Sequence, residues 1–289
     1  MSSSIKSTIK LNNGINIPVI GLGTYLTEDS DIEQSVRSAI EQGYRHIDTA
    51  SYYKNEKKIG DTIKQLIKEG VVKREELFIT TKVGTWQHGY ENALKAFEES
   101  LEKLQLDYLD CYLIHYPGTY SELPKGESMS SLRSKTWKAL EKLYNDGKVR
   151  SIGVSNYTES HLHELLSQCT IKPVMNQVEF HPYLFQESLL NYCKSNDIVL
   201  EAYGSLAGGN EILTEPVVLE ISNQINKTPA QLLLKWAIQN GLIVIPKSIK
   251  SERVIENSLL DFEISQENIK KLNLLNKNKR FYWDPNNVN

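Results

Sequence analysis

The feature that most constrains this chain is the alternation of short apolar or β-branched runs with amphipathic helical segments. Eight such runs are present, and most neighbouring pairs are separated by a helix-like stretch. Repeated β-then-α units favour a closed parallel barrel, because an open doubly wound sheet usually has fewer strands. We therefore predict an α/β fold, a (β/α)8 TIM barrel, with strands at residues 17–23, 45–48, 77–81, 108–114, 151–154, 174–178, 198–202 and 243–245.

Length and composition agree with one barrel. The 289 residues are 40% hydrophobic, enough for a large core, and α/β barrels of this size are often one domain. No linker or low-complexity segment divides the sequence. We predict that residues 1–289 form a single domain.

Three segments lie outside the β/α units. Asn12-Asn13-Gly14 separates two short alternating runs, which predicts a β-hairpin whose two turn positions both have positive φ. Such a hairpin could close the bottom of the barrel. Residues 116–131, rich in Gly, Pro and Ser, and the tail 277–289 fit no unit, and we expect the tail to lie over the barrel mouth.

Charge and cysteine content limit the partners and the compartment. The formal net charge is -3, and no segment concentrates Lys and Arg, so we expect no nucleic-acid partner. No run approaches the roughly 20 apolar residues of a membrane helix, and the N-terminus lacks the pattern of a signal peptide. The three scattered cysteines (Cys111, Cys169 and Cys193) fit a reducing compartment. We predict a cytoplasmic monomer.

Polar residues follow the predicted strands. Asp48, Lys82 and His115 end the second, third and fourth strands, and Tyr53 follows Asp48 closely. Further polar groups stand at or near the later strand ends: Ser155, Asn156, Gln177, Tyr203, Lys247 and Ser248. Because chemistry in a parallel barrel is built where the strands end, these groups should converge on one mouth.

The first four groups together suit carbonyl reduction. A carbonyl that accepts hydride develops negative charge on oxygen and needs a proton from a positioned acid. The pKa of a free phenol, about 10, is high for this purpose, and a nearby ammonium would lower it. Lys82 can supply that ammonium, Asp48 can hold it, and a neutral His115 can orient the carbonyl. Tyr53 is then the predicted acid.

Residues 48–56 (DTASYYKNE) resemble the signature of the aldo-keto reductase family, whose catalytic tyrosine lies five residues beyond the aspartate. This spacing selects Tyr53 over Tyr52. The resemblance continues in the family's order through residues 81–82 (TK), 113–115 (LIH), 147–156 (GKVRSIGVSN), 176–183 (NQVEFHPY) and 245–248 (IPKS). It covers about residues 8 to 260.

The resemblance implies specific roles. Tyr53 would donate the proton, Lys82 and Asp48 would tune it, and His115 would orient the carbonyl. The cofactor would be NADPH/NADP+ and the substrate a small-molecule carbonyl. Cofactor contacts are implied for Gly23, Thr24, Asp48, Ser155, Asn156, Gln177, Tyr203, Ser205, Leu206, Lys247, Ser248, Arg253, Glu256 and Asn257. The last five of these would hold the adenosine and its 2′-phosphate, which suits a guanidinium, an ammonium and a hydroxyl.

Three positions depart from the family pattern. After Tyr203 the family usually has Ser-Pro-Leu, whereas this chain has Gly204-Ser205-Leu206, so Ser205 is the candidate for the displaced hydroxyl. Tyr25 and Tyr116 stand where many members carry tryptophan. The predicted substrate site is aromatic and comprises Tyr25, Tyr53, Trp86, His115 and Tyr116, with Phe281 and Trp283 of the tail.

Two other functions remain open at this stage. A metal-dependent barrel hydrolase could use His46, Asp48, His115 and His181, although Lys82 would then lie beside the cations and the spacing fits no common metal motif. We predict no metal. A cofactor-binding regulatory subunit on the same fold is the second alternative, because fold does not dictate function.

Overall fold

The computed structural model describes residues 5–209 and 211–288, and within them eight strands form one parallel sheet. Two preceding strands, β1 and β2, form a separate antiparallel pair. In the large sheet each strand pairs with its neighbour in sequence from β3 to β10. The strands are β1 Thr8–Lys10, β2 Asn16–Pro18, β3 Leu22–Gly23, β4 His46–Asp48, β5 Phe78–Val83, β6 Cys111–Ile114, β7 Ile152–Ser155, β8 Met175–Glu179, β9 Val199–Tyr203 and β10 Ile243–Val244.

The sheet closes between its first and last strands. Gly21 N donates to Val244 O at 2.9 Å, and Gly23 N donates to Pro246 O at 3.2 Å. A Cβ on Gly23 would lie 2.6 Å from Ile245 O, so this approach requires glycine. The predicted barrel is confirmed, with one change: the predicted first strand, 17–23, is divided between the hairpin strand β2 and the barrel strand β3.

Helices surround the barrel. The ten within the described residues are α1 Asp29–Gln42, α2 Glu56–Lys68, α3 Tyr90–Leu104, α4 Met129–Asn145, α5 Glu159–Leu166, α6 Glu187–Ser195, α7 Pro216–Gln224, α8 Pro229–Gln239, α9 Ser251–Ser258 and α10 Gln266–Asn273. The largest apolar cluster joins the outer faces of the strands to the inner faces of these helices. This layer holds the strand ends in fixed positions, which is what a site built from several strands requires.

The N-terminal hairpin packs against the second apolar cluster. Its Leu11 and Ile17 are buried with residues of four barrel strands, among them Phe78 and Met175. The predicted turn is wrong in detail, because Gly14 has a positive φ of 87° whereas Asn13 does not. Gly14 N instead donates to Leu11 O, which gives a longer turn that needs one left-handed residue.

The C-terminal tail returns across the mouth. Lys277 N and Lys279 N both donate to Tyr183 O, and the Trp283 ring lies 5.0 Å from the His115 ring. The long loop after β6 ends at Ser128, whose side chain caps α4 by accepting from Ser131 N. No helix in the described part of the chain has the length and apolar character to span a membrane.

Candidate active site

A buried ion pair lies at the ends of β4 and β5. Lys82 Nζ donates to Asp48 Oδ1 at 2.7 Å, to Asp48 Oδ2 at 2.8 Å and to Thr49 O at 2.8 Å. Both side chains are almost fully buried. An ammonium has three hydrogens, so these contacts use all of them and the desolvated charge is fully compensated.

Tyr53 follows β4 on a short 3-10 turn, Ser51–Tyr53. Its ring centroid lies 5.2 Å from Lys82 Nζ and 5.5 Å from the His115 ring. Burial at the base of the cavity and the negative charge of Asp48 hold the pKa of Tyr53 well above 10. The net lowering of this pKa that we predicted from Lys82 is therefore wrong for the structure, because burial and the charge of Asp48 outweigh the effect of the ammonium.

His115 is an uncharged imidazole in this site. Burial, and to a lesser extent the Lys82 ammonium, hold its pKa well below 6.5. Its Nδ1 atom is buried and has no hydrogen-bond partner among the described residues. The ring thus keeps hydrogen-bonding capacity that the protein does not use.

Amide and hydroxyl groups from the next three strands continue the site. Ser155 Oγ donates to Gln177 O at 2.8 Å, and Asn156 Nδ2 donates to His115 O at 3.0 Å. Tyr203 OH donates to Asn156 Oδ1 at 2.7 Å. Asn156 has a φ of 62°, a left-handed conformation that asparagine tolerates better than most residues. These groups are organised before any ligand binds.

A cavity of about 780 Å³ extends from Tyr53 and His115 to the N-terminal turn of α9. At its far end lie Lys247, Ser248, Arg253, Glu256 and Asn257. Lys247 and Arg253 form no ion pair with a carboxylate within the described ranges. Two uncompensated cations beside a helix N-terminus suit a phosphate group, and an elongated cavity of this size suits a dinucleotide. The residues present therefore fit NADPH.

The other predicted site residues divide into two groups. Gly23, Thr24, Tyr25, Ser205 and Leu206 line the cavity. Trp86 and Tyr116 stand outside its lining, with Trp86 46% exposed and Tyr116 OH donating to Asp284 O at 2.8 Å. Phe281 lies elsewhere, because its ring packs 5.4 Å from His181.

The sequence matches the model of the aldo/keto reductase family over residues 19–277. The chain belongs to the aldo-keto reductase family. It is 49% identical to the glyoxal reductase of Bacillus subtilis (strain 168) over 290 residues, 100% of this chain and 99% of that protein. It is 40% identical to aldose reductase C of Dictyostelium discoideum, with 95% of this chain and 91% of that protein covered. The crystal structure of the Bombyx mori aldo-keto reductase in complex with NADP superposes with a TM-score of 0.90 at 36% identity, covering 98% of this chain and 99% of that one.

The activity of this reductase is the NADPH-dependent reduction of aldehydes or ketones to alcohols. The hydrolase alternative lacks a ligand set in the described residues, where no three His, Cys, Asp or Glu side chains are grouped to hold a metal. His181 Nε2 is hydrogen-bonded to Glu179 Oε1 at 2.9 Å, and His46 Nε2 is hydrogen-bonded to Thr80 Oγ1 at 3.2 Å. His46 and His181 thus contact different residues, and Asp48 is paired with Lys82.

The structure gives a physical reason for Gly204, the position after Tyr203 at which the family usually has serine. Gly204 has a φ of 63°, and a Cβ there would lie 2.7 Å from the Tyr282 ring. A serine at this position would clash with the tail. Tyr282, which sequence reasoning missed, takes this space beside Tyr203, with ring centroids 5.6 Å apart, and lines the cavity. Ser205 Oγ is directed back to Ala202 O at 3.4 Å.

Proposed function

We propose that the reductase converts small aldehydes and α-dicarbonyls to alcohols, with Tyr53 as the acid and His115 orienting the carbonyl. The observation that carries this proposal is the placement of Tyr53, His115 and the Asp48–Lys82 pair at one end of a cavity that suits NADPH. In this scheme the nicotinamide, when bound, supplies the hydride. The protein's groups bind, orient and protonate the substrate.

The proton transfer is downhill in this scheme despite the high pKa of Tyr53. The phenol holds its proton at neutral pH, so it enters every cycle in the donating form. The acceptor is an oxygen that becomes an alkoxide, which is far more basic than a phenolate. Neutral His115 presents a hydrogen-bonding nitrogen without adding a charge. Lys82 then stabilises the phenolate that remains, 5.2 Å from its ring centroid.

The cofactor roles follow the cavity. Ser155, Asn156 and Gln177 would bind the carboxamide, and the Tyr203 ring would stack on the nicotinamide. Gly23, Thr24, Asp48, Ser205 and Leu206 would border the nicotinamide and the pyrophosphate, while the residues at the far end would hold the 2′-phosphate and adenine. All of these residues line the cavity.

The aromatic rings around Tyr53 support the choice of small carbonyls. The rings of Tyr25, Tyr53, His115 and Trp283 form a continuous series, with successive centroids 5.1, 5.5 and 5.0 Å apart. Because these rings lie on both sides of Tyr53, we expect them to exclude a bulky substituent beside the carbonyl. The similarity to a glyoxal reductase, whose name specifies a two-carbon dicarbonyl, points in the same direction.

The decisive experiment follows the loss of NADPH absorbance with glyoxal, methylglyoxal, benzaldehyde and a bulky aromatic ketone. Steady consumption, faster for the first two, is the expected result. Tight NADPH binding without consumption of any carbonyl would instead favour the regulatory-subunit alternative.

A first prediction concerns the preference for NADPH over NADH. Arg253→Ala removes a guanidinium that can bind the 2′-phosphate with two hydrogen bonds, each assisted by charge. We expect KM for NADPH to rise about tenfold to a hundredfold, the effect of losing about 1.4 to 3 kcal/mol. KM for NADH should stay unchanged, as should both constants in the control Arg45→Ala. An equal rise for both cofactors would show that Arg253 does not read the phosphate.

A second prediction concerns substrate size. Trp283→Ala removes the ring above His115 and leaves Tyr53 in place. We expect kcat/KM for the bulky ketone to rise about tenfold, since one large pocket contact can change discrimination by about 1 to 3 kcal/mol. Tyr120→Ala, which removes another ring near Trp283 but one 68% exposed, is the control. If the ratio of kcat/KM for the bulky ketone to kcat/KM for a small aldehyde were unchanged in Trp283→Ala, the proposed size limit would be contradicted.

We also propose that residues 1–289 act as one domain, in the cytoplasm and as a monomer. Three free cysteines, two of them buried, support a reducing compartment. Sedimentation of the purified protein tests the monomer, and fractionation of the source cells tests the compartment.

A further inference from the structure

Gln177 makes two hydrogen bonds that leave its amide only one orientation. Its Nε2 donates to Asp48 Oδ2 at 2.7 Å and to Glu201 Oε2 at 2.9 Å. An amide nitrogen has two hydrogens, so both are used. Rotating the amide by half a turn would place its oxygen against two carboxyl oxygens. The group that Gln177 presents to the cavity is therefore its carbonyl oxygen.

Backbone register brings Gln177 and Glu201 together. They are directly paired residues of the parallel strands β8 and β9, so their side chains leave the same face of the sheet. Both are inside the barrel, and Glu201 has no exposed surface. No role for Glu201 follows from the proton transfer described above, although it is a charged residue type in the interior of a barrel.

The state of the Glu201 carboxyl is consistent with a hydrogen-bond acceptor that carries no charge. Burial, followed by the charge of Asp48, raises its pKa to about 8. Oε1 has no hydrogen-bond partner in the described residues and lies 3.8 Å from His46 Nε2. A proton on Oε1 leaves Oε2 as a carbonyl-type acceptor for Gln177. Lys82 and Asp48 then balance each other without a third charge.

We propose that Glu201 is a positioning residue, which acts through Gln177 to present a fixed hydrogen-bond acceptor to the carboxamide of the nicotinamide. The carboxamide has an amide N–H to donate, and an acceptor in a fixed place selects one rotational state of the ring. Glu201 thereby helps to select the face of the nicotinamide that points to the carbonyl. This inference rests on the proposed role of Gln177 in cofactor binding.

The test compares NADPH binding and hydride stereospecificity in two variants of Glu201. Glu201→Leu removes the acceptor at similar volume and frees the amide of Gln177. We expect the Kd for NADPH, measured by quenching of protein fluorescence, to rise about tenfold, as for one lost hydrogen bond. With NADPH deuterated on one face, the product should change from a single label pattern to a mixture. Glu201→Gln, which keeps an oxygen acceptor, should recover most of the affinity and the single pattern.

Two controls separate positioning from a general structural effect. Glu56→Leu replaces another buried glutamate, one that accepts from Thr81 Oγ1 at 2.7 Å, and should leave the Kd for NADPH unchanged. In a Gln177→Ala background, Glu201→Leu should cause no further loss, because its effect passes through Gln177. An equal tenfold loss in that background would overturn the proposal. So would a wild-type Kd in Glu201→Leu when Gln177→Ala alone weakens binding.

A measurement on the wild-type protein tests the orientation of the Gln177 amide even if Glu201→Leu does not fold. The two side-chain amide protons of Gln177, observed by NMR without cofactor, should both be protected from exchange with solvent. Rapid exchange of either proton would overturn the proposed orientation. Proton exchange at Gln177 does not depend on turnover. Failure to consume NADPH would therefore contradict the proposed function without contradicting the proposed orientation of the amide.

Discussion

Tyr53→Phe is expected to lower kcat for carbonyl reduction by about a hundredfold to ten-thousandfold, the usual contribution of a general acid. The affinity for NADPH should not change. The phenylalanine ring keeps the contacts with Tyr25 and His115, whose centroids lie 5.1 and 5.5 Å away. The substitution removes only the hydroxyl group, and with it the proton to be donated. Single-turnover kinetics and fluorescence titration with NADPH measure the two quantities separately.

The raised pKa of Tyr53 makes this expectation stronger. Because the phenol is protonated at neutral pH, ionisation of Tyr53 should not lower the wild-type rate of reduction below about pH 10, its ordinary pKa. Water cannot easily replace the proton in the variant, since Trp283 and Tyr25 border the space above residue 53. The loss should therefore persist across the accessible pH range.

Tyr52→Phe is the matched control, since Tyr52 is the neighbouring residue and is 39% exposed. The family spacing selects Tyr53, and the structure places Tyr53 rather than Tyr52 near Lys82 Nζ. If Tyr52→Phe lost turnover and Tyr53→Phe kept it, the assignment of the acid would be reversed. If both variants turned over normally, the proton would come from a different group.

Positions at strand ends could be read from the sequence because they depend on period and order alone. Asp48, Lys82 and His115 each follow a short apolar run, and closure of eight parallel strands brings such ends together. The Asp48–Lys82 contact was predictable for this reason. The direction of the Tyr53 pKa shift was not, because it depends first on how deeply the folded chain buries the phenol, and the sequence alone does not show that burial.

Two features of the site could not be predicted from the sequence: which tail residues line the cavity, and which residues contact Gln177. Residues 277–289 have no periodicity, so nothing distinguished Phe281, which packs on His181, from Tyr282, which lines the cavity. Glu201 left a readable signal, namely a glutamate inside the apolar run 198–202. Its partner could be named only once the β8–β9 register was known, because a shift of one residue would direct the side chain to the other face.

Lys82→Met is expected to destabilise the fold as well as abolish reduction. Removing one member of a buried ion pair leaves an uncompensated charge, at a cost of about 3–5 kcal/mol in the free energy of unfolding. Asp48 would keep its hydrogen bond from Gln177 at 2.7 Å but lose the two hydrogen bonds from the ammonium, at 2.7 and 2.8 Å. Chemical denaturation at several pH values measures the loss.

The stability lost in Lys82→Met should increase as pH rises, because of the way in which Asp48 titrates. Burial raises the pKa of Asp48 above its ordinary value even in the wild-type protein, while Lys82 and Gln177 oppose this shift. Without Lys82 the folded-state pKa rises further above the unfolded value, so the folded state binds the extra proton. Such a carboxyl destabilises the fold progressively as pH rises from about 3.9 through the folded pKa. The difference between Lys82→Met and wild type should therefore be larger at pH 8 than at pH 5.

Two further variants separate this mechanism from loss of a long side chain. Lys235→Met removes another fully buried lysine, whose Nζ donates to Leu260 O at 3.2 Å and lies 3.5 Å from the half-exposed Glu263. Water can hydrate the Glu263 carboxylate that remains, so the loss of stability in Lys235→Met should not increase with pH. Adding Asp48→Asn to Lys82→Met removes the stranded carboxyl and should restore part of the stability while turnover remains absent. Equal losses at pH 5 and pH 8, with no recovery in the double variant, would mean that Lys82 stabilises the barrel by packing and not by neutralising Asp48.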